Sequence, residues 1–515
     1  MTKCVLVAGV VLALVLLARG WLAGTLPLTD TTEARYAEIS RKMVETSDYV
    51  TPQDDYGVPF WAKPPLAMWA SAGGIALLGA TELAPRLPIL LISAAFLALF
   101  FVSLEAEIGA GAAALGTVVL ASSLLFFVSM AAVMTDMILA ACVGAALLAF
   151  WARWRGAGPL AEAALYLALG LGLLAKGPVA AVLTLGPIAL WSLALRRTGL
   201  VWRRFAWIKG AILALAVSLP WYVAAELRTP GFLKYFIVGE HLSRFLVPHW
   251  QGDLYGHPHN VAFGTIWIYL LVGLLPWSIL LLPLPLTRRK AFRSRWAAHR
   301  ELIVFGLCWA AVPLLLFSFA ANIITPYALP AMPGAVAAFM AACGRPGEDR
   351  ALRRLAWVGC ACVLIPSVWL AARANRPEFA TRFTQKHVIE AIHTRHPNGC
   401  AIRYWQDRYF SAEYYSGGAA GHVENPIALE HDVEGDEPLC VVVETARADS
   451  IPAGLARRLR ETFRLGEFSV LEPLPKARAR HYGASDDGAS DESPGAEGGS
   501  GEGPSTDGAS AAGPH

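Results

Sequence analysis

Twelve apolar runs of near-membrane-spanning length alternate with polar connections along the first 375 residues of this chain, near residues 5–23, 66–82, 86–104, 109–134, 137–152, 160–175, 177–195, 206–225, 262–285, 301–320, 326–343 and 354–373. A helix needs about 20 mainly apolar residues to cross a bilayer, so the pattern predicts a polytopic helical bundle. The first run follows a single Lys3 and meets no small-residue cleavage site before the next charged loop. It reads as a retained helix rather than a signal peptide.

The first polar break differs from the others. Residues 29–66, TDTTEARYAEISRKMVETSDYVTPQDDYGVPFWAKPPL, form a long loop dense in carboxylates, cations and prolines. Elsewhere the connections are short and divide by charge. The arginine groups at Arg153 and Arg155, Arg196 to Arg204, Arg288 to Arg295 and Arg345 to Arg354 belong on the cytoplasmic side. The loop 29–66, Asp136, Lys176 and residues 226–261 and 321–326 then fall on the opposite face. Counting every run as one crossing breaks this alternation between residues 66 and 136. A turn near Ser122 and Ser123 that splits the run 109–134 restores it, giving about thirteen crossings with the C-terminus outside.

Composition agrees with this class: hydrophobic residues make up 55% and charged residues 16% of the 515, against about 25% charged in soluble domains. A net charge of +3 gives no reason to expect nucleic acid as a partner. After residue 375 the pattern changes. Strand-like PLCVVVET and FSVLEPL mix with helix-like QKHVIEAIHTRH and GLARRLRETF, predicting a small soluble α/β domain over residues 376–482. Cys400 and Cys440 fall within it, where an oxidising compartment would allow a disulfide. Cys4, Cys142, Cys308, Cys343, Cys360 and Cys362 lie in or beside apolar runs as packing residues. Residues 483–515 hold no large apolar side chain and are expected to be disordered.

The candidate chemistry converges on one face. Tyr36, Ile39 and Met43 recur at helical spacing, predicting an amphipathic helix over 31–46 along the interface. Asp30 and Glu33 have the spacing of a helix cap; alternatively one of them is a general base beside Arg35. Lys63, before Pro64 and Pro65, is either a snorkelling interfacial lysine or a phosphate ligand at a helix N-terminus. Asp136 and Lys176 are isolated opposite charges at the ends of apolar runs, a placement that marks either the interface or a functional pair. Glu240, His241 and Arg244 lie within one helical turn. Glu240 and His241 are the nearest approach to a divalent-metal pair, although adjacent residues point apart. His249, His257 and His259 form a loop cluster.

TEARYAEISRKM, WAKPPL, TDMIL, AKGP, PWY, EHLSRF and LLPWS, in this order, resemble the lipid A aminoarabinose transferases and the protein O-mannosyltransferases among the C-type glycosyltransferases. The similarity runs to about residue 340. It implies a membrane all-α fold of about thirteen helices with a catalytic first outer loop. It also implies transfer of a sugar from a polyprenyl (undecaprenyl) phosphate donor to lipid A, another envelope glycan or protein, at the outer face of a bacterial inner membrane. On this resemblance Arg35, Lys63, Lys176 and Arg244 hold the lipid phosphate, Asp136 supports donor positioning, and Tyr36 and Tyr327 line the donor site.

Three positions depart from the family. Thr32 replaces the usual aspartate before the Arg-Tyr step, which leaves Asp30 or Glu33 as the base. Ala62 replaces the glutamate associated with metal in the aminoarabinose branch. Ala321 and Ile323 replace lysines of a late outer loop. A chain that keeps the cations but lacks the base would be a carrier-lipid binder or flippase. A sensor built on the C-terminal domain is a third reading.

Overall fold

A computed structural model describes residues 3–247, 250–256, 261–281, 289–343 and 350–475. The tail 483–515 and His249, His257 and His259 lie outside these. In chain order the elements are α1 (Lys3–Thr25), α2 (Thr32–Thr46), a small hairpin of β1 (Gln53–Asp55) and β2 (Val58–Pro59), α3 (Leu66–Leu78), α4 (Leu83–Ile108), α5 (Ala110–Ala121), α6 (Leu124–Ser129), α7 (Thr135–Trp154), α8 (Pro159–Lys176) and α9 (Val179–Ala194). Helices Trp207–Arg228, Arg300–Ser318, Met332–Cys343 and Arg350–Ala374 continue the bundle. Among the described residues eight helices are long and apolar enough to cross a membrane, with three shorter apolar ones beside them. The expected count of about thirteen is not reached on that measure.

The bundle is layered by burial. Only 22% of the α1 span is buried inside the protein, against 83% for α7. Helices apolar on every side are stable in lipid, where association depends on close packing rather than on hiding apolar surface from water. At the centre, Gly144 of α7 faces the Phe96 ring, and a Cβ there would sit 2.4 Å from it. Phe150 stacks between Phe205 and Phe305 at ring separations of 4.9 and 5.8 Å.

The break between residues 66 and 136 is resolved differently from the expectation. The helix does interrupt at Ser122 and Ser123, where α5 gives way to α6. The parity, however, is met by α3. Its 13 residues measure about 20 Å, short of a bilayer core of about 30 Å. Met68, Ala72 and Ile75 share one apolar cluster with Tyr36, Phe60, Val133, Phe410 and Tyr414. Beyond its end, the Thr81 carbonyl accepts a hydrogen bond from Tyr414 Oη at 3.0 Å. Both ends of α3 therefore lie on the face that carries the first loop.

Past residue 375 the chain forms a five-stranded sheet in the order β4-β3-β5-β7-β6. Its strands are β3 (Ala401–Trp405), β4 (Ala420–Val423), β5 (Leu439–Glu444), β6 (Leu459–Leu465) and β7 (Phe468–Pro473). β3 runs parallel to β4 and β5, while β7 is antiparallel to β5 and β6. The sequence LRETFRL, read above as helical, is strand β6. It pairs with β7 through the turn at Gly466, so tertiary pairing overrides its local helical pattern. Residues through Pro473 form one compact unit with the helices.

Candidate active site

The site lies where α2, the β1–β2 hairpin, the starts of α7 and α9, and residues 240–245, 253–256 and 322–327 meet. Two cavities adjoin there. A polar chamber of about 670 Å³ is lined by Thr32, Arg35, Tyr36, Asp54, Lys63 and Asp136 from the first half of the chain. An apolar cavity of about 310 Å³ is walled by Val179, Val182, Leu242, Phe245, Leu316 and Phe317. Lys63, Lys176, Arg244, Asn322 and Tyr327 line both, forming a neck between them.

Local structure fixes each neck cation. Lys176 ends α8 because Gly177 follows at φ +80, where a Cβ would lie 2.6 Å from the Phe236 ring. This is the physical content of AKGP: only glycine turns there while the segment 234–243 packs against it. Lys176 Nζ donates to Asp136 Oδ1 at 2.5 Å and lies 4.1 Å over the Tyr327 ring. Lys63 Nζ donates to Glu240 Oε2 at 2.7 Å. Arg244 is 3.2 Å from Glu240 and 3.4 Å from Asp253. Burial alone would raise the Glu240 carboxyl, but Lys63 and Arg244 outweigh it and hold the group below its ordinary value. Three cations thus face three carboxylates, and the neck is close to neutral.

Arg35 stands outside that balance. Its Nη1 donates to the Tyr255 carbonyl at 2.6 Å, its guanidinium lies 4.7 Å over the Phe410 ring, and its Nε is buried without a partner. Among the described residues it makes no ion pair with a carboxylate, so it brings uncompensated positive charge to the chamber lining.

Asp30 and Glu33 are both removed from the chamber lining, and they do not form the expected cap, since Thr31 is the N-cap of α2 and accepts no side-chain bond. Glu33 turns to Arg86, which donates to it at 2.7 and 2.9 Å. Burial pushes the Glu33 carboxyl up, and Arg86 with Arg19 outweighs it and carries the group below the usual range. Asp30 accepts from the Ser411 amide at 2.9 Å and from its hydroxyl. Burial raises its carboxyl to about 6, against the pull of those two hydrogen bonds. A raised carboxyl binds its proton more tightly when folded, so its stabilising contribution is complete below about pH 4 and is lost as pH rises through 6. Thermal midpoints measured from pH 4 to pH 7 should show a downward slope that is smaller in Asp30→Asn; equal slopes would refute the assignment.

The expected metal pair does not fit an ion. His241 ring nitrogens lie 2.8 Å from the Phe236 carbonyl and 3.2 Å from that of Lys176. Glu240 is committed to two cations, and Ala62 supplies no ligand.

Several chamber residues carried no signal in the sequence. Arg408, Phe410, His422 and Glu424 reach it from the C-terminal region. Arg408 Nη1 donates to Asp54 Oδ2 at 2.5 Å and its Nε to Glu413 at 2.6 Å, and it covers the Phe410 ring opposite Arg35 at 4.4 Å. Lys42, almost fully buried, donates to Glu413 at 3.1 Å and to the Asp54 carbonyl at 2.9 Å. Asp54 Oδ1 is left buried and unpartnered, as is Asn322 Oδ1, whose amide donates to the Arg244 carbonyl at 2.8 Å.

An apolar helical bundle with eight membrane-length helices among the described residues defines a multi-pass membrane protein, and its apolar cavity meets a polar chamber at a neck of paired charges. A family model described as dolichyl-phosphate-mannose-protein mannosyltransferase matches residues 4–236. The undecaprenyl phosphate-alpha-4-amino-4-deoxy-L-arabinose arabinosyl transferase of Edwardsiella ictaluri is 30% identical over 305 residues, covering 58% of this chain and 52% of that protein. Its namesake from Aeromonas salmonicida is 31% identical over 382 residues, covering 71% and 66%. The match thus spans about half to two thirds of these relatives' length. The crystal structure of ArnT from Cupriavidus metallidurans in the apo state superposes with a TM-score of 0.73 at 19% identity, covering 90% of this chain and 97% of that one. The same protein bound to undecaprenyl phosphate gives 0.71 over 90% and 98%. The chain belongs to the C-type glycosyltransferase family that contains the aminoarabinose transferases and protein mannosyltransferases.

Proposed function

We propose that this protein transfers a glycosyl group from a polyprenyl-phosphate-linked sugar to an acceptor in the bacterial cell envelope, at the non-cytoplasmic face of the inner membrane. The observation that carries this reading is the neck of paired charges between the two cavities, with the unpaired Arg35 beside it. Lys63, Lys176 and Arg244 stand between an apolar cavity that fits the first prenyl units and a polar chamber that fits a sugar. The phosphate rests at that boundary, with Arg35 adding the positive charge that the neck lacks. Undecaprenyl phosphate is the carrier named for the relatives, and their sugar, aminoarabinose, is the first donor to try. Lipid A, another envelope glycan or a protein is the acceptor.

In the reaction the acceptor oxygen bonds to the sugar's anomeric carbon as the bond from that carbon to the phosphate oxygen breaks. The lipid phosphate leaves on the neck cations, and the acceptor's proton passes to a carboxylate. Asp54 is our choice for that base. Among the chamber-lining aspartates, Asp136 and Asp253 form ion pairs with neck cations, whereas Asp54 pairs with Arg408 outside the neck and has one buried oxygen without a hydrogen-bond partner. A base oriented by a second group is the usual arrangement for proton transfer.

The test is transfer of radiolabelled sugar from undecaprenyl-phosphate-aminoarabinose to lipid A by purified protein in proteoliposomes, followed by a panel of envelope acceptors. Lys63→Ala and Arg244→Ala should each weaken donor binding about 10-fold or more, as expected for losing a charge-assisted bond of about 1.5–3 kcal/mol. Binding of undecaprenyl phosphate unchanged in both variants would reject the neck as the phosphate site. Tight donor binding by wild type without turnover on any acceptor would favour a carrier-lipid binder or flippase, the reading that Thr32 motivates.

A further inference from the structure

Away from the chamber, the C-terminal sheet gathers three donors of a kind not used elsewhere in the described structure. His396 follows helix Lys386–Arg395, Cys400 precedes β3, and Cys440 lies in β5. Their side-chain donor atoms all lie within 4.8 Å of one another, and among the described residues this is the one such group of three or more His, Cys, Asp or Glu donors. Both cysteines are free thiols. Cys440 is fully buried, while Cys400 and His396 are half-buried at the end of the sheet core.

We propose that His396, Cys400 and Cys440 form a structural site for a soft divalent cation, zinc in the first instance. Two thiolates and one imidazole are a zinc donor set, with water or a carboxylate completing the tetrahedron. Donors around zinc stand roughly 3.5–3.8 Å apart, given Zn–S near 2.3 Å and Zn–N near 2.0 Å, so small side-chain rotations close the site.

The surroundings support a metal over a simple disulfide. His396 Nε2 lies 2.9 Å from Glu472 Oε1 on β7, the carboxylate–imidazole contact that orients a ligating histidine. A disulfide would make no use of that third donor.

Such a site would tie the end of helix Lys386–Arg395 to β3 and β5, with β7 held through Glu472. It contributes no residue to the chamber, whose C-terminal wall is Arg408, Phe410, His422 and Glu424. The ion is therefore a staple for the sheet and takes no part in glycosyl transfer.

The test uses the full-length protein purified in detergent without chelator. Expected results are stoichiometric zinc by elemental analysis, a thiolate-to-cobalt charge-transfer band after exchange into Co²⁺, and protection of Cys400 and Cys440 from alkylation until the metal is removed. Cys400→Ser and His396→Ala should each lower zinc affinity at least 10-fold. The wild-type cobalt spectrum and alkylation pattern stand even where a variant fails to fold. Two cysteines that resist alkylation until reduced, with no zinc present, would identify a disulfide and overturn the proposal. Freely alkylated cysteines with no bound zinc would overturn it equally.

Discussion

Asp54→Asn is expected to lower the turnover of glycosyl transfer by about 10²–10⁴-fold, the range lost when a positioned general base is removed. Donor binding should stay near wild type, because Asp54 touches none of the neck cations and its partner is Arg408. Asparagine keeps an oxygen for Arg408 and the same shape, so the loss should fall on turnover rather than on KM. Arg408→Lys provides the positioning control. It retains the charge but not the fork that grips Asp54 Oδ2 and the Asp54 carbonyl together. It should lower turnover less than Asp54→Asn. If Asp54→Asn turns over like wild type while Asp136→Asn or Asp253→Asn is inactive, the base is one of those aspartates.

The second large effect concerns stability. Glu33→Gln leaves Arg86 buried without its counter-charge, and Arg86 also donates to the carbonyls of Ala23, Leu26 and Pro27. It therefore joins the end of α1, the start of α2 and α4. Breaking a buried pair by removing one partner costs about 3–5 kcal/mol, so Glu33→Gln and Arg86→Ala should each lower the thermal midpoint markedly. The double variant should lose less than the sum of the two, because no lone charge remains. The same experiment decides whether Glu33 is a base. A variant that keeps the wild-type midpoint and loses turnover would return that role to it.

Much of the site was legible in the sequence. Arg35, Lys63, Asp136, Lys176, Arg244 and Tyr327 all line the chamber. Asp136 and Lys176 announced themselves as charges isolated in apolar sequence, which cost too much to keep without a partner or a task, whereas Arg35, Lys63, Arg244 and Tyr327 were marked by the ordered motifs of the family. The partner of each was not legible. Glu33 has the spacing of a cap and the company of Arg35, yet its charge is taken by Arg86, 53 positions along the chain. Glu240, read as half of a metal pair, is the counter-ion of Lys63 and Arg244.

The hydrophobic pattern and the ordered motifs determined by themselves that this chain is a helical membrane protein with a charged first loop at its centre, because bilayer thickness imposes a length on every crossing. Only the tertiary structure decided that α3 lies along the face instead of crossing it. It likewise decided that Asp30 and Glu33 are taken up by Ser411 and Arg86, and that Asp54 meets Arg408 from 354 positions away. Those outcomes depend on which groups burial brings together. Local sequence records how much a charge will cost to bury, while the fold alone selects the partner that offsets it.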